Sequence, residues 1–225
     1  MTPSRDRRRS RIAVTGSTVF TVALVCVVSG ATAASTALAS KGVTAESRST
    51  SIIAVVLTPI ADTYADQALP STNFGTVTNL DVQSQKTSRN RRSFVRFDLS
   101  SIPSSATVHA AQLDVTMYTA PTASRSLQAQ RVSASWTEST LTWTSMPAIS
   151  ASIAATAATG TTANTVLQLD LSGDTRAMLA SPATNFGWQL ADATESSSTL
   201  RLTQFRSRDF ATGTAVPHLT VTYSP

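Results

Sequence analysis

The chain has 225 residues, of which 41% are hydrophobic and 14% are charged, and its 8 glycines and 9 prolines are too few for a fibrous or low-complexity chain. The formal net charge of +5 arises mainly at the N-terminus, where residues 1–11 hold five of the 18 basic residues and one of the 13 acidic ones. The rest of the chain has 13 basic and 12 acidic residues. This balance excludes a global positive field that would attract nucleic acid.

The first 39 residues have the pattern of an export signal. Arginines up to Arg11 precede an apolar run over 12–28, and two Ala-x-Ala sites follow at 31–33 and 37–39. We predict a signal peptide over residues 1–39 and a polar linker over residues 40–50. An uncleaved membrane anchor is the alternative, because residues 12–34 would nearly span a bilayer.

From residue 51 onward the pattern is that of short β-strands. A β-branched run covers residues 52–57, and a turn-rich loop is predicted over residues 61–75. Residues 92–99 alternate, with Val95, Phe97 and Leu99 on one face, which is typical of a half-buried strand. The other strands predicted in this half are 79–82, 108–118 and 126–134.

The second half continues this organisation. Residues 148–163 are rich in Ala, Thr and Ser and are predicted to form a flexible loop. A short helix is expected over residues 174–180, stopped by Pro182. The strands predicted here are 165–171, 187–191, 199–206 and 218–223. Eight or nine strands with almost no helix predict an all-β fold, a jelly-roll-like antiparallel β-sandwich, as one domain over residues 51–225.

One short sequence occurs twice: PSTNFG at residues 70–75 and PATNFG at residues 182–187. Proline fixes a backbone dihedral, asparagine favours side chain-to-backbone turns, and glycine tolerates positive φ. Two equivalent turns are therefore predicted, and a role in ligand binding is the alternative.

Six segments carry a resemblance to a known family: ADTYADQALPSTNFG, RRSFVRFDLSSIPSSATVHAAQLDV, VSASWTESTLTW, TNFGWQL, FRSRD and PHLTVTY. Their order and spacing, from about Thr58 to Tyr223, resemble the DNRLRE-type domain, also described as carbohydrate-binding module family 96. The resemblance implies a jelly-roll sandwich, export, and binding of carbohydrate, with acidic polysaccharide such as alginate as the precedent. The chain has Asp209 where a glutamate is expected in FRSRD.

Arginines are the main candidates for ligand contact, because guanidinium groups bind carboxylates and sulfates bidentately. Tyr64 is predicted to be an exposed aromatic residue that could stack on a sugar. The candidate arginines are Arg89, Arg91, Arg92, Arg206 and Arg208. The alternative is that the arginines pair with carboxylates on the protein surface. Trp136, Trp143 and Trp188 could offer flat faces for sugar stacking, but they are interpreted as core residues.

Oxygen ligands for calcium could come from Asp62, Asp66 and Asn73, although their spacing matches no fixed calcium loop. No other cofactor is expected. No nucleophile, zinc-protease or phosphate-loop motif occurs in the sequence. A glycosidase would need two carboxylates across a cleft, for which Glu138 with Asp170 or Asp192 could serve.

These patterns predict a secreted, non-catalytic domain that binds carbohydrate, with an anionic polysaccharide or cell-surface polymer as partner. We expect a monomer that binds no nucleic acid and contacts a membrane only through an uncleaved signal. The alternatives are a structural or adhesive surface domain without a saccharide ligand, and a polysaccharide-degrading enzyme.

Overall fold

The computed structural model describes residues 51–210 and 215–225. The predicted signal peptide and linker lie outside these residues. The described part contains eleven β-strands and one α-helix, so the predicted all-β fold is confirmed, with more strands than the eight or nine expected. The strands are β1 Ile53–Leu57, β2 Pro59–Asp66, β3 Asn79–Ser84, β4 Arg91–Phe97, β5 Thr107–Thr119, β6 Ser126–Val132, β7 Ile149–Ala158, β8 Thr165–Asp170, β9 Trp188–Asp192, β10 Arg201–Arg206 and β11 His218–Ser224.

The single α-helix, α1, covers Ser172–Ala180 and begins two residues before its predicted start. Short 3-10 helices occupy Trp143–Ser145 and Pro182–Thr184. In the part of the chain that the structure describes, no helix has the length and apolar character needed to cross a membrane.

All strand pairs are antiparallel. The sheet order is β1-β11-β5-β10-β3-β4-β9-β6-β7, with β2 paired to β4 and β8 paired to β5. The long strand β5 pairs with β11 along its first part and with β10 at its end, so the sheet curls around one interior. The loops 85–90, 120–125 and 193–200 meet at one end of the sandwich, where hydrogen bonds from Lys86 and Arg125 join them to the loop that holds Thr194 and Ser197.

The core is formed by the inward residues of the alternating strands. Trp188 of β9 packs against Phe97 of β4 with ring centroids 6.4 Å apart, and both side chains are fully buried. The interpretation of Trp188 as a core residue is confirmed. Other large side chains without solvent exposure include Leu80, Leu113, Met117 and Phe205.

A second apolar cluster covers the outer face of β4. Trp136, in the segment 133–148 between β6 and β7, packs against Phe94 with centroids 5.9 Å apart, together with Leu141 and Val132. The indole N–H of Trp136 donates to the Phe186 carbonyl oxygen over 2.7 Å. Strand β4 is therefore buried on both faces, and Trp136 also belongs to the core, as predicted.

Two predicted loops are strands in the structure. Residues 59–66 form β2, which pairs along the whole of β4 and is almost entirely buried. Residues 149–158 form β7, an edge strand paired with β6. The predictions of a loop over 61–75 and of a flexible loop over 148–163 are wrong in these parts, because backbone pairing compensates for the scarcity of large apolar side chains there.

The two repeated turns fasten neighbouring segments. The Asn73 amide donates to the carbonyl oxygens of Glu138 (2.7 Å) and Leu141 (2.8 Å). The Asn185 amide donates to the carbonyl oxygen of Phe97 over 2.9 Å. Both amides are thus used inside the protein, which favours the turn interpretation over a role in ligand binding.

Candidate functional site

Arg91 lies in a buried ionic network. Its Nε is 2.8 Å from Oδ2 of Asp66, and its Nη1 is 2.6 Å from Oδ2 of Asp81. Both aspartate side chains are only 2% exposed. Arg91 is therefore paired internally, and Asp66 is occupied as its partner rather than available for calcium.

Tyr64 borders this network and is 7% exposed, so its prediction as an exposed aromatic residue is wrong. Its ring stacks on Phe74 with centroids 4.3 Å apart, and the Arg91 guanidinium lies 5.7 Å from the ring centroid. Burial raises the pKa of Tyr64 to about 12. Phe74 comes from the first repeated turn, so this turn covers the tyrosine from outside.

Arg92 points to the opposite side of β4 from Arg91. Its Nε and Nη2 each donate over 2.7 Å to one oxygen of Glu195, a bidentate pair. The guanidinium also lies 4.9 Å from the ring centroid of Trp143, which is half-buried. The charge of Arg92 is therefore balanced, while its planar face covers a tryptophan.

Three carboxylates meet at the turn after β10. One oxygen from each of Asp62, Glu138 and Asp209 lies within 4.8 Å of the others, and we call these residues the carboxylate cluster. Asp62 is buried, Glu138 is half-buried and Asp209 is exposed, so the cluster opens to solvent on one side. Arg208 contributes the balancing charge, with Nη2 3.0 Å from Oε2 of Glu138.

Backbone hydrogen bonds hold the cluster in place. The N–H of Asp62 donates to Oε1 of Glu138 over 3.0 Å. The N–H of Arg208 donates to Oδ2 of Asp62 over 2.8 Å. Gly75 allows the close approach of Glu138, because an added Cβ would lie 2.5 Å from the Glu138 carbonyl oxygen.

The carboxylate cluster is the group of residues that could hold a divalent cation. Of the three residues predicted for calcium, Asp62 belongs to it. Asp66 is bound by Arg91, and Asn73 uses its amide to fasten the segment that carries Glu138. Oxygen ligands on several loops suit calcium, so Asp62, Glu138 and Asp209 form a candidate set that differs from the predicted one in two residues. Calcium binding itself stays a prediction.

Basic side chains gather at the end formed by loops 85–90, 120–125 and 193–200. Hydrogen bonds join the loops, for example from the N–H of Lys86 to the carbonyl oxygen of Ser197 over 2.8 Å. Arg125 bridges two of them through Asp192 (2.7 Å) and the carbonyl oxygen of Thr194 (2.9 Å). We call this region the basic end; its charged residues are Lys86, Arg89, Arg92, Arg125 and Arg201, with Asp192 and Glu195 as the acids.

The comparison with family models identifies the chain. The model of carbohydrate-binding module family 96 matches residues 53–223, which is more than half of the sequence and spans all eleven strands except the last residue of β11. The chain belongs to this family. It thereby carries a carbohydrate-binding domain, as the sequence resemblance implied. The comparison with curated proteins found no match.

The predicted ligand arginines of this family 96 module do not converge on one surface. Arg91, Arg92 and Arg208 each form an ion pair with a carboxylate. Arg206 lies 4.6 Å from the ring centroid of Phe210 and forms no ion pair within residues 51–210 and 215–225. Arg89 is exposed at the basic end and likewise has no carboxylate partner in the described part.

Sequence reasoning did not connect Lys86, Arg125 and Arg201 with Arg89 in the family 96 module. Lys86 lies three positions before Arg89, whereas Arg125 and Arg201 are distant from both in the chain, and only the strand order brings their loops together. The sequence contained one indication of this proximity: each of these residues lies at or near the end of a predicted strand. Loops at the same end of a sandwich become neighbours in space.

Proposed function

We propose that this family 96 module is a secreted, non-catalytic binder of an anionic polysaccharide. The observation that carries the proposal is the basic end. Three of its cations, Lys86, Arg89 and Arg201, form no ion pair with any carboxylate among the described residues. Cations presented on connected loops suit a polymer whose carboxylates repeat along the chain.

Local charge, rather than net charge, supports this choice. Outside residues 1–11 the chain holds 13 basic and 12 acidic residues, so a general attraction to polyanions is weak. Glu195 and Asp192 neutralise Arg92 and Arg125 at the basic end. The remaining positive charge of the basic end belongs to Lys86, Arg89 and Arg201, and such a patch favours anionic ligands there.

The acidic residues considered for catalysis support a non-catalytic role. Asp192 is held by Arg125, whose Nε and Nη2 donate over 2.7 and 2.8 Å to its two oxygens. Hydrogen bonds from Ser172 lower the pKa of Asp170. A glycosidase general acid needs a raised pKa, so Asp170 is poorly suited to partner Glu138 in that reaction.

Secretion is proposed from the N-terminal sequence. We expect signal peptidase to cut after Ala33 or Ala39. Mass spectrometry of the protein in the culture medium should give a mature N-terminus at residue 34 or 40. Retention of the full-length chain in the membrane fraction would support the uncleaved anchor instead.

Affinity electrophoresis tests the ligand class. The wild-type protein should be retarded in a gel that contains alginate, less so at raised salt, and should not be retarded by hydroxyethyl cellulose. Arg89→Gln should weaken the retardation about two- to fivefold. Arg176→Gln, which removes the same charge from an exposed position on α1, serves as the matched control and should leave it unchanged.

The ion pairs of Arg91, Arg92 and Arg208 favour the alternative of a structural or adhesive domain, since they use charge within the protein. Absence of retardation by every acidic and neutral polymer, for a protein with a cooperative melting transition, would establish that alternative. Release of reducing sugar from alginate would overturn the non-catalytic proposal.

A further inference from the structure

Three polar or aromatic side chains lie side by side on the outer face of the sheet, opposite the core. In register across β4, β9 and β6 they are Phe94, Gln189 and Gln130. The inward neighbours of Gln189 on β9 are Trp188 and Leu190, both fully buried in the core. Alternation along the strand therefore directs Gln189 away from the core and onto this outer face.

The next position on this face contains a gap. Ala191, two residues after Gln189, pairs with Gln128 of β6. Its short side chain belongs to neither core cluster. A cavity of about 190 Å³ opens here, and we call it the glutamine groove. Its lining includes Arg92, Gln128, Gln130, Gln189, Ala191 and Glu195.

Gln189 presents its amide to this groove. The residue is 3% exposed and lines the groove, and its amide forms no hydrogen bond with any residue that the structure describes. The amide oxygen and nitrogen are not among the fully buried polar atoms without a partner, so they keep their contact with solvent through the groove. A bound molecule that both donates and accepts hydrogen bonds can replace water at these two atoms.

The other glutamines leave further groups open to such a molecule. Gln128 donates to Oε1 of Gln130 over 3.2 Å, and Gln130 donates to the carbonyl oxygen of Ser150 over 3.1 Å. This chain fixes the two amides and leaves the Gln128 oxygen as an acceptor. Amides present both donors and acceptors, which matches the dual character of sugar hydroxyls.

We propose that the glutamine groove is a subsite that binds one pyranose ring of a polysaccharide through its hydroxyl groups. The volume supports a single ring, because it is smaller than the roughly 300 Å³ at which sites for drug-sized ligands begin. The inference rests on the proposed carbohydrate-binding function and assigns it to a particular surface.

The groove adjoins the basic end. Arg92, Asp192 and Glu195 line the groove and belong to the basic end as well. Arg92 and Asp192 are both engaged in ion pairs. The groove therefore offers hydrogen bonds to the hydroxyl groups of a sugar rather than an unpaired charge to an ionic group. Glu195 of the groove belongs to the loop whose Ser197 accepts a hydrogen bond from the Lys86 N–H, so the groove continues into the loops that carry the free cations. A polymer that occupies the groove would extend its next sugar carboxylate toward these cations.

Two variants test the subsite. Ala191→Leu fills the gap and should lower affinity for an alginate tetrasaccharide at least about tenfold. Gln189→Met keeps the length of the side chain, removes its amide, and should lower affinity about tenfold, as expected for lost hydrogen bonds in a desolvated site. Gln168→Met, at an exposed position on β8, is the matched control and should leave affinity unchanged.

Isothermal titration with the tetrasaccharide gives the affinities, and thermal melts establish that each variant is folded. In NMR spectra of the wild type, the side-chain N–H₂ signals of Gln189 should shift on titration. If Ala191→Leu does not fold, Gln189→Met and the NMR shift decide the question.

The outcomes separate the two proposals. A wild-type protein that binds neither alginate nor a neutral polymer overturns the proposed function and the subsite together. Wild-type binding with unchanged affinity in both folded groove variants, and no shift at Gln189, overturns the subsite alone and shows that Gln189 is satisfied by water. Loss of affinity in the groove variants but not in Gln168→Met supports the subsite.

Discussion

The backbone N–H of Arg208 donates to Oδ2 of Asp62 over 2.8 Å, although 146 positions separate the two residues. The same arginine pairs with Glu138 and donates from Nη1 to the Ile60 carbonyl oxygen over 2.7 Å. Asp62, which is 1% exposed, nevertheless remains costly to ionise. Burial, together with repulsion from Glu138 and Asp209, raises its pKa to about 7.

This raised pKa predicts that the protein loses stability as the pH rises through the acidic range. Asp62 has its ordinary pKa of 3.8 when unfolded and about 7 when folded, so between these values the folded state binds more protons. The free energy of unfolding should therefore fall between about pH 4 and pH 7, by on the order of 2–4 kcal/mol. Urea unfolding at intervals across this range measures it.

The variant Asp62→Asn is the control for this effect. Its amide oxygen can still accept from the Arg208 N–H, but it does not ionise. The variant should be about 1–3 kcal/mol more stable than the wild type at pH 8 and lose that advantage near pH 4. A wild-type stability that is flat or rising over this range would contradict the assignment to Asp62.

Calcium should relieve the same repulsion if the carboxylate cluster binds it. At pH 8, 10 mM calcium chloride should raise the melting temperature of the wild type, since a dissociation constant of about 1 mM, typical of extracellular modules, contributes about 1.4 kcal/mol. Asp62→Asn should show no rise, whereas Asp170→Asn, outside the cluster, should respond like the wild type. Equal responses of the wild type and Asp62→Asn would contradict a site at Asp62.

Strands in which apolar and polar side chains alternate could be predicted from the sequence. Strands that lack this alternation, and that are stabilised by backbone pairing with their neighbours, could not. The alternation of Val95, Phe97 and Leu99 identified β4, and similar patterns identified β5 and β11. Strand β2 contains Asp62, Thr63 and Asp66, all buried, and no periodicity rule places three polar residues inside. Their burial depends on partners such as Arg91 and Arg208, which are distant in sequence.

The site was less predictable than the fold. Tyr64 lies in a polar segment, which favoured exposure, but Phe74 covers it through a contact ten residues away. The arginines were predicted as ligand contacts because they are charged, yet three of the five candidates form ion pairs with carboxylates of the protein: Arg91, Arg92 and Arg208. Gln189 has no charge, and although it lies in the segment TNFGWQL, the pattern of that segment predicts only a turn and a core strand. Its significance depends on Ala191 being small and on the strands that flank it. Such a cavity depends on sheet order, which a single sequence does not specify.

Arg91 should contribute to stability rather than to ligand binding. Removal of its charge would leave Asp66 and Asp81 buried without a cation. Arg91→Gln should lower the free energy of unfolding by about 3 kcal/mol, the low end for a broken buried pair because Arg91 itself is 27% exposed. Arg89→Gln, two positions earlier and exposed, should change it by less than about 0.5 kcal/mol. Equal effects of the two variants would contradict the buried network.

The glycines that end the two repeated turns should be essential for packing, each for a different reason. Gly187 has φ +77°, and an added Cβ would lie 2.1 Å from the Val95 carbonyl oxygen. Gly75 is limited by Glu138, where the corresponding distance is 2.5 Å. Gly187→Ala should therefore lower the free energy of unfolding by more than about 3 kcal/mol, and Gly75→Ala by about 2 kcal/mol.

Gly173 provides the matched control, because it lies in α1 and an added Cβ would contact nothing within 4 Å. Gly173→Ala should stabilise the protein by up to about 1 kcal/mol, as alanine favours a helix over glycine. Urea unfolding of the three variants should thus give two losses and one gain. An unchanged free energy of unfolding in Gly187→Ala would mean that β9 can move away from β4. The pairing between these two strands would then not hold Trp188 and Gln189 rigidly in place.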